Sequence, residues 1–133
     1  MSEDLLVKLR ADYPDVRFRR GQRFAFRPPN RVVIGPDEPR ADLLLLHELG
    51  HALLKHRDFK ADVERLKMEM EAWEKARELA NRYGIRYDED FAQEELDTYR
   101  DWLHQKSRCP KCGLTRFSAS DGQYHCPRCD MVG

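Results

Sequence analysis

Leu5, Leu6 and Leu9 recur at helical spacing and predict a first helix over residues 3–12, ended by Tyr13-Pro14-Asp15. Three short β-like runs follow at 16–18, 23–26 and 32–34, separated by Gly21-Gln22 and Pro28-Pro29-Asn30. The alternation Arg23-Phe24-Ala25-Phe26-Arg27 fits a strand with one covered face, and the tight turns predict a small three-stranded antiparallel sheet. Residues 35–39 hold Gly, two Pro and two acids; they break the sheet and start a helix that runs to about residue 56. A joint is expected at 57–58. Val63, Leu66, Met70, Trp73, Arg77 and Ala80 step by three and four and predict a helix over about 60–82, with Gly84 as its left-handed stop. A further helix runs from 88 to about 105, with Phe91, Leu96, Tyr99 and Leu103 inward. The pattern is that of an α+β chain, mainly helical, without an internal repeat.

A chain of 133 residues holds one modest core, or a small domain with a satellite. Net charge is zero, but it is unevenly placed: +4 over 1–36, −6 over 37–107 and +2 from 108 on. No block is basic enough to argue nucleic acid on charge alone. The start, Met1-Ser2-Glu3-Asp4, is acidic where a secretory signal would be basic and then apolar, and no run reaches the length of a spanning helix. The expectation is a cytoplasmic protein with no membrane partner.

The candidate chemistry is concentrated at His47-Glu48-Leu49-Gly50-His51, set within the apolar helix. Histidines four apart stack on one helix face and can reach a single metal ion, with Glu48 beside them. This is the HExxH arrangement of zinc-dependent peptidases, in which the glutamate acts as general base. A polar triplet inside a buried helix is costly unless paired or metal-bound. Gly50 inside the helix costs stability, which implies that something approaches it closely. A third ligand is still needed. A later histidine at the HExxHxxGxxH spacing is missing, since Leu54 and Arg57 stand there, and His56 points off the ligand face. Glu69 and Glu71 on the next helix are the alternatives; they lie about 200° apart around its axis, so both cannot be ligands. Tyr83, Tyr99 and His104 are oxyanion candidates by residue type only.

HELGH followed by a helix with E-x-x-A resembles the gluzincin peptidases, in particular the minimal ImmA/IrrE family. The resemblance covers about residues 1–85. It implies a short first helix, a small sheet, an active-site helix and a helix that carries the glutamate ligand three residues before an alanine. That position is Glu69, three before Ala72. Where the family usually has asparagine or aspartate after the alanine, this chain has Trp73. The resemblance further implies an extended substrate added as a strand to the sheet edge.

Cys109-Pro110-Lys111-Cys112 and Cys126-Pro127-Arg128-Cys129 are two knuckles with thirteen residues between them. Four thiolates so spaced close a tetrahedral structural site, and the tail looks like a rubredoxin-type zinc ribbon. Short strands are expected at 114–117 and 123–125. SprT-type peptidases also join HExxH to a ribbon, but their downstream histidine ligand is missing before His104, so that similarity ranks second.

The reading is a metallopeptidase domain at 1–106 and a zinc ribbon at 107–133, with one catalytic and one structural Zn2+. His47, His51 and Glu69 would hold the catalytic ion and Glu48 would act as general base. The partner is a protein or peptide substrate, such as a regulator; nucleic acid at the ribbon is the less favoured partner. The rival is a non-catalytic zinc-binding protein whose ribbon contacts a protein or nucleic acid.

Overall fold

The computed structural model describes residues 3–57 and 62–108, and the backbone of 117–118 and 124–125. The fold class is α+β. The elements are α1 (Glu3–Asp12), β1 (Arg17–Arg20), β2 (Ala25–Arg27), β3 (Arg31–Ile34), α2 (Ala41–Leu53), α3 (Asp62–Tyr83), α4 (Glu89–Ser107), β4 (Phe117–Ser118) and β5 (Tyr124–His125). Gly84 ends α3 with φ +68°, as expected. Residue 58 of the expected joint lies outside the described residues. Among the described residues no helix is long and apolar enough to cross a membrane.

The sheet is mixed, which corrects the antiparallel expectation. Its order is β1-β3-β2; β2 and β3 form an antiparallel hairpin, but β1 runs parallel to β3. The link between β1 and β2 therefore passes across the end of β3 instead of turning back beside β1. Two glycines permit that crossing. A Cβ on Gly35 would stand 2.6 Å from the Phe24 backbone nitrogen, and one on Gly21 would stand 2.5 Å from Val33 Cγ1. Periodicity reports which residues alternate, but nothing about which strand lies in the middle.

The chain clusters into two compact units, Met1–Arg57 with Met68–Glu89, and Asp58–Lys67 with Asp90–Gly133. In the first unit Phe18, Val32 and Ile34 line one sheet face, and Leu5, Leu6 and Leu9 bury the inner side of α1. The apolar run of α2 is covered almost all round: Leu43, Leu45, Leu46 and Leu49 are buried, and so are His47 and His51. In the second unit the Lys106 ammonium pairs with the buried Asp62 at 2.8 Å, and Arg65 lies over the Tyr99 and Trp102 rings at 5.2 Å. Strands β4 and β5 pair antiparallel.

The buried stripe of α3 in the first unit is Glu69, Ala72, Trp73, Ala76, Leu79 and Ala80. Met70, part of the periodic set that predicted the helix, is 44% exposed. The reason is the fit against α2. A Cβ added at Gly50 would stand 2.7 Å from the Ala72 carbonyl oxygen. A glycine and an alanine let the two helices touch backbone to backbone, so the alanine face packs inward instead of the larger side chains. Glu69, one turn before Ala72, is carried in with it.

Gly50→Ala tests this contact. Alanine favours a helix interior by about 1 kcal/mol over glycine, whereas overpacking costs about 1–3 kcal/mol. The variant is expected to unfold at lower urea concentration than wild type. A more stable variant would show that the helices are not in contact there.

Candidate metal centre

His47 and His51 stand one turn apart on α2, with ring centroids 4.8 Å apart. Both turn Nε2 toward Glu69. His47 Nε2 lies 2.8 Å from Glu69 Oε2, and His51 Nε2 lies 3.2 Å from Glu69 Oε1. All three side chains are nearly sealed from solvent. The sequence left Glu69 and Glu71 open as the third group; the structure brings Glu69 to both imidazoles and places Glu71 Oε1 3.6 Å from His56 Nε2.

Glu48 lies on the other side of His47, with Oε1 3.3 Å from Nδ1. His47, Glu48 and His51 each offer an atom within 4.8 Å of the others, a group that could hold a metal ion. Glu69 makes the shorter contacts to the paired Nε2 atoms, so it is the better third donor, and Glu48 remains a near neighbour of the cluster.

His56 reaches the site through the end of α2. Lys55 adopts φ +57°, its N–H bonds to Ala52 O at 3.2 Å, and the His56 N–H bonds to His51 O at 3.0 Å. This pair of bonds is the Schellman closure, which folds the second residue past the helix back over its last turn. His56 Nδ1 thereby meets His51 Nδ1 at 2.8 Å. Which of the two Nδ1 atoms donates is set by the tautomers of the rings. His56 thus lies against the ring nitrogen of His51 that faces away from Glu69.

Two aromatic rings fix the imidazoles from the sides. Trp73 stacks on His47 at 4.4 Å and 8°, and Phe26 of β2 stacks on His51 at 5.7 Å and 13°. The Tyr87 hydroxyl donates to the Trp73 carbonyl at 3.3 Å. Trp73 thus packs flat against the ring whose Nδ1 faces Glu48. Sequence spacing could not find Phe26 or His56, because each arrives through a tertiary contact or a turn. Of the oxyanion candidates, the Tyr83 hydroxyl donates to Asp12 at 2.5 Å, and Tyr99 and His104 belong to the second unit. The expected thiolate ligands Cys109, Cys112, Cys126 and Cys129 lie outside the described residues.

The electrostatics follow from burial against pairing. Burial by itself would push the His47 pKa down. Hydrogen bonds and charge from Glu48 and Glu69 outweigh it and raise the pKa from 6.5 to about 9. Burial would likewise push Glu69 up, yet His47 and His51 hold its carboxyl well below its ordinary value. Burial, then the adjacent His51, lowers His56. Compared with known proteins, the chain matches no family model, no curated protein and no solved structure.

These shifts set a pH profile for the protein stripped of metal ions. Glu69, with its pKa depressed, stabilises the fold above about 4.5 and loses that contribution as pH falls. His47, with its pKa raised, stabilises fully below about 6.5 and loses that contribution as pH rises toward about 9. Urea unfolding of wild type and His47→Gln, both stripped, should differ most between about pH 4.5 and 6.5 and converge toward pH 9. A difference that grows toward pH 9 would contradict the ion pair.

Proposed function

We propose that the first unit is a zinc-dependent peptidase domain. The observation that carries this reading is the convergence of two imidazole Nε2 atoms on one buried carboxylate, one oxygen each, at 2.8 and 3.2 Å. Two histidines and a glutamate form the donor set of catalytic zinc sites with three protein ligands and one open position. The residues fit that group, with His47, His51 and Glu69 as its holders. A zinc ion so held lowers the pKa of a bound water toward neutrality and polarises a substrate carbonyl.

The chain's own residues supply the rest. Glu48 is not needed as a ligand, so its carboxylate is available to take the proton of the attacking water and deliver it to the leaving amine. His56 and the stacked rings of Trp73 and Phe26 keep the imidazoles from turning away. Strand β2 is an edge of the sheet, and its Phe26 touches His51, so an extended peptide added to that edge would run beside the site. The four-cysteine tail would hold a second, structural zinc and act as a small contact module.

One contact favours the non-catalytic rival. Glu48 rests on the far ring nitrogen of His47 at 3.3 Å, which is the place of a ligand-orienting group.

Glu48→Gln separates the two. Zinc-loaded wild type and variant are incubated with a proteome-derived peptide library, and new termini are read by mass spectrometry. The expected result is cleavage by wild type, loss of about 100-fold or more in the variant, and unchanged zinc content. Equal product from both proteins, or none from either, would remove the peptidase reading. A variant that loses zinc would make Glu48 an orienting group.

A further inference from the structure

The two faces of the three-stranded sheet differ in chemistry. Phe18, Val32 and Phe26 are register partners on the helix-facing side. Alternation along each strand sends the other residues outward: Arg17 and Arg19 from β1, Arg31 and Val33 from β3, Ala25 and Arg27 from β2. Arg17 pairs in register with Arg31, and Arg31 with Arg27, so three guanidinium side chains lie abreast across the sheet. Arg19 lies two residues along from Arg17, on the same face. All four arginines are exposed.

Like charges directly opposite one another destabilise a sheet, and here nothing local offsets them. Residues 17–31 hold six arginines, no lysine and no acidic residue. Arg20, on the helix-facing side, is bonded to Glu3 at 2.9 Å. None of the four outer arginines has a carboxylate partner among the described residues. The row of three borders a cleft of about 530 Å³ that continues along Pro28, Pro29 and Asn30.

We propose that this outer face binds the phosphate backbone of duplex nucleic acid without reading its sequence. Charge complementarity selects a polyanion. Guanidinium forks match phosphate oxygens two by two, which a lysine ammonium does not. A protein partner would need an apolar anchor at the centre of the patch, and the face offers only the half-buried Val33 and Ala25. A membrane would need apolar residues to insert. An unpaired strand would use aromatic rings for stacking, and this face carries none, whereas a duplex presents phosphates outward with its bases stacked inside.

The test is fluorescence anisotropy of the full chain with a labelled DNA duplex of about 20 base pairs, titrated from about 50 to about 200 mM salt. Wild type is expected to bind, with affinity falling steeply with salt. Arg17→Gln/Arg27→Gln/Arg31→Gln should bind at least about tenfold more weakly at the low-salt end and lose about 2 to 3 units of log–log slope, near 0.9 per phosphate contact. Arg20→Gln should bind as wild type does. If the triple variant fails to fold by circular dichroism, each single substitution is expected to remove about 0.9 of slope. The proposal is overturned if wild type does not bind, if the arginine variants bind unchanged, if polyglutamate displaces the duplex as well as unlabelled duplex does, or if binding disappears only with Lys111→Gln/Arg128→Gln. His47→Ala/His51→Ala should bind the duplex normally, so the result does not depend on the metal reading.

Discussion

Helices α2 and α3 meet backbone to backbone at Gly50 and Ala72, and the candidate centre depends on that contact. Glycine on one side and alanine on the other remove the side-chain layer that normally holds helices about 8–10 Å apart. Glu69, one turn before Ala72, then reaches between His47 and His51. A larger residue at either position would leave two imidazoles and a carboxylate buried apart from one another, at the cost of several unmet polar groups. The same contact explains why α3 turns its alanines inward and leaves Met70 in solvent.

Around that contact the chain uses each ring nitrogen of the two histidines. The Nε2 atoms share Glu69, while the Nδ1 atoms face Glu48 and His56. A buried ionic group stands only if all its members are satisfied, and here flat rings close the remaining sides. The arrangement is demanding for a chain of this size. It is what a cation site requires, since a ligand that can rotate away contributes little to binding.

Much of this was legible in the sequence, because it follows from short-range periodicity. The spacing of His47 and His51, the helices around them, the Gly84 stop and the close approach at Gly50 are all local signals. Glu69 over Glu71 came from resemblance, and the packing brings that same side chain to both histidines. What could not be read depends on three-dimensional neighbours. The parallel β1–β3 pairing rests on a chain crossing that two glycines allow. His56 returns to His51 only because Lys55 takes a left-handed conformation, which a lysine does not advertise. Phe26 and Trp73 looked like core residues. The arginine face was hidden for a different reason: block sums of charge mix the acids of α1 with the strands, and only the register sorts Arg17, Arg27 and Arg31 into one row.

The most direct measurement is diffraction at the zinc absorption edge from crystals of the full chain grown with zinc. The expected result is an anomalous peak about 2.0–2.2 Å from Nε2 of His47, Nε2 of His51 and one carboxylate oxygen of Glu69. A map with no peak there and Glu69 still bonded to both imidazoles, or with the ion held by His56 and Glu71 instead, would contradict the proposed centre.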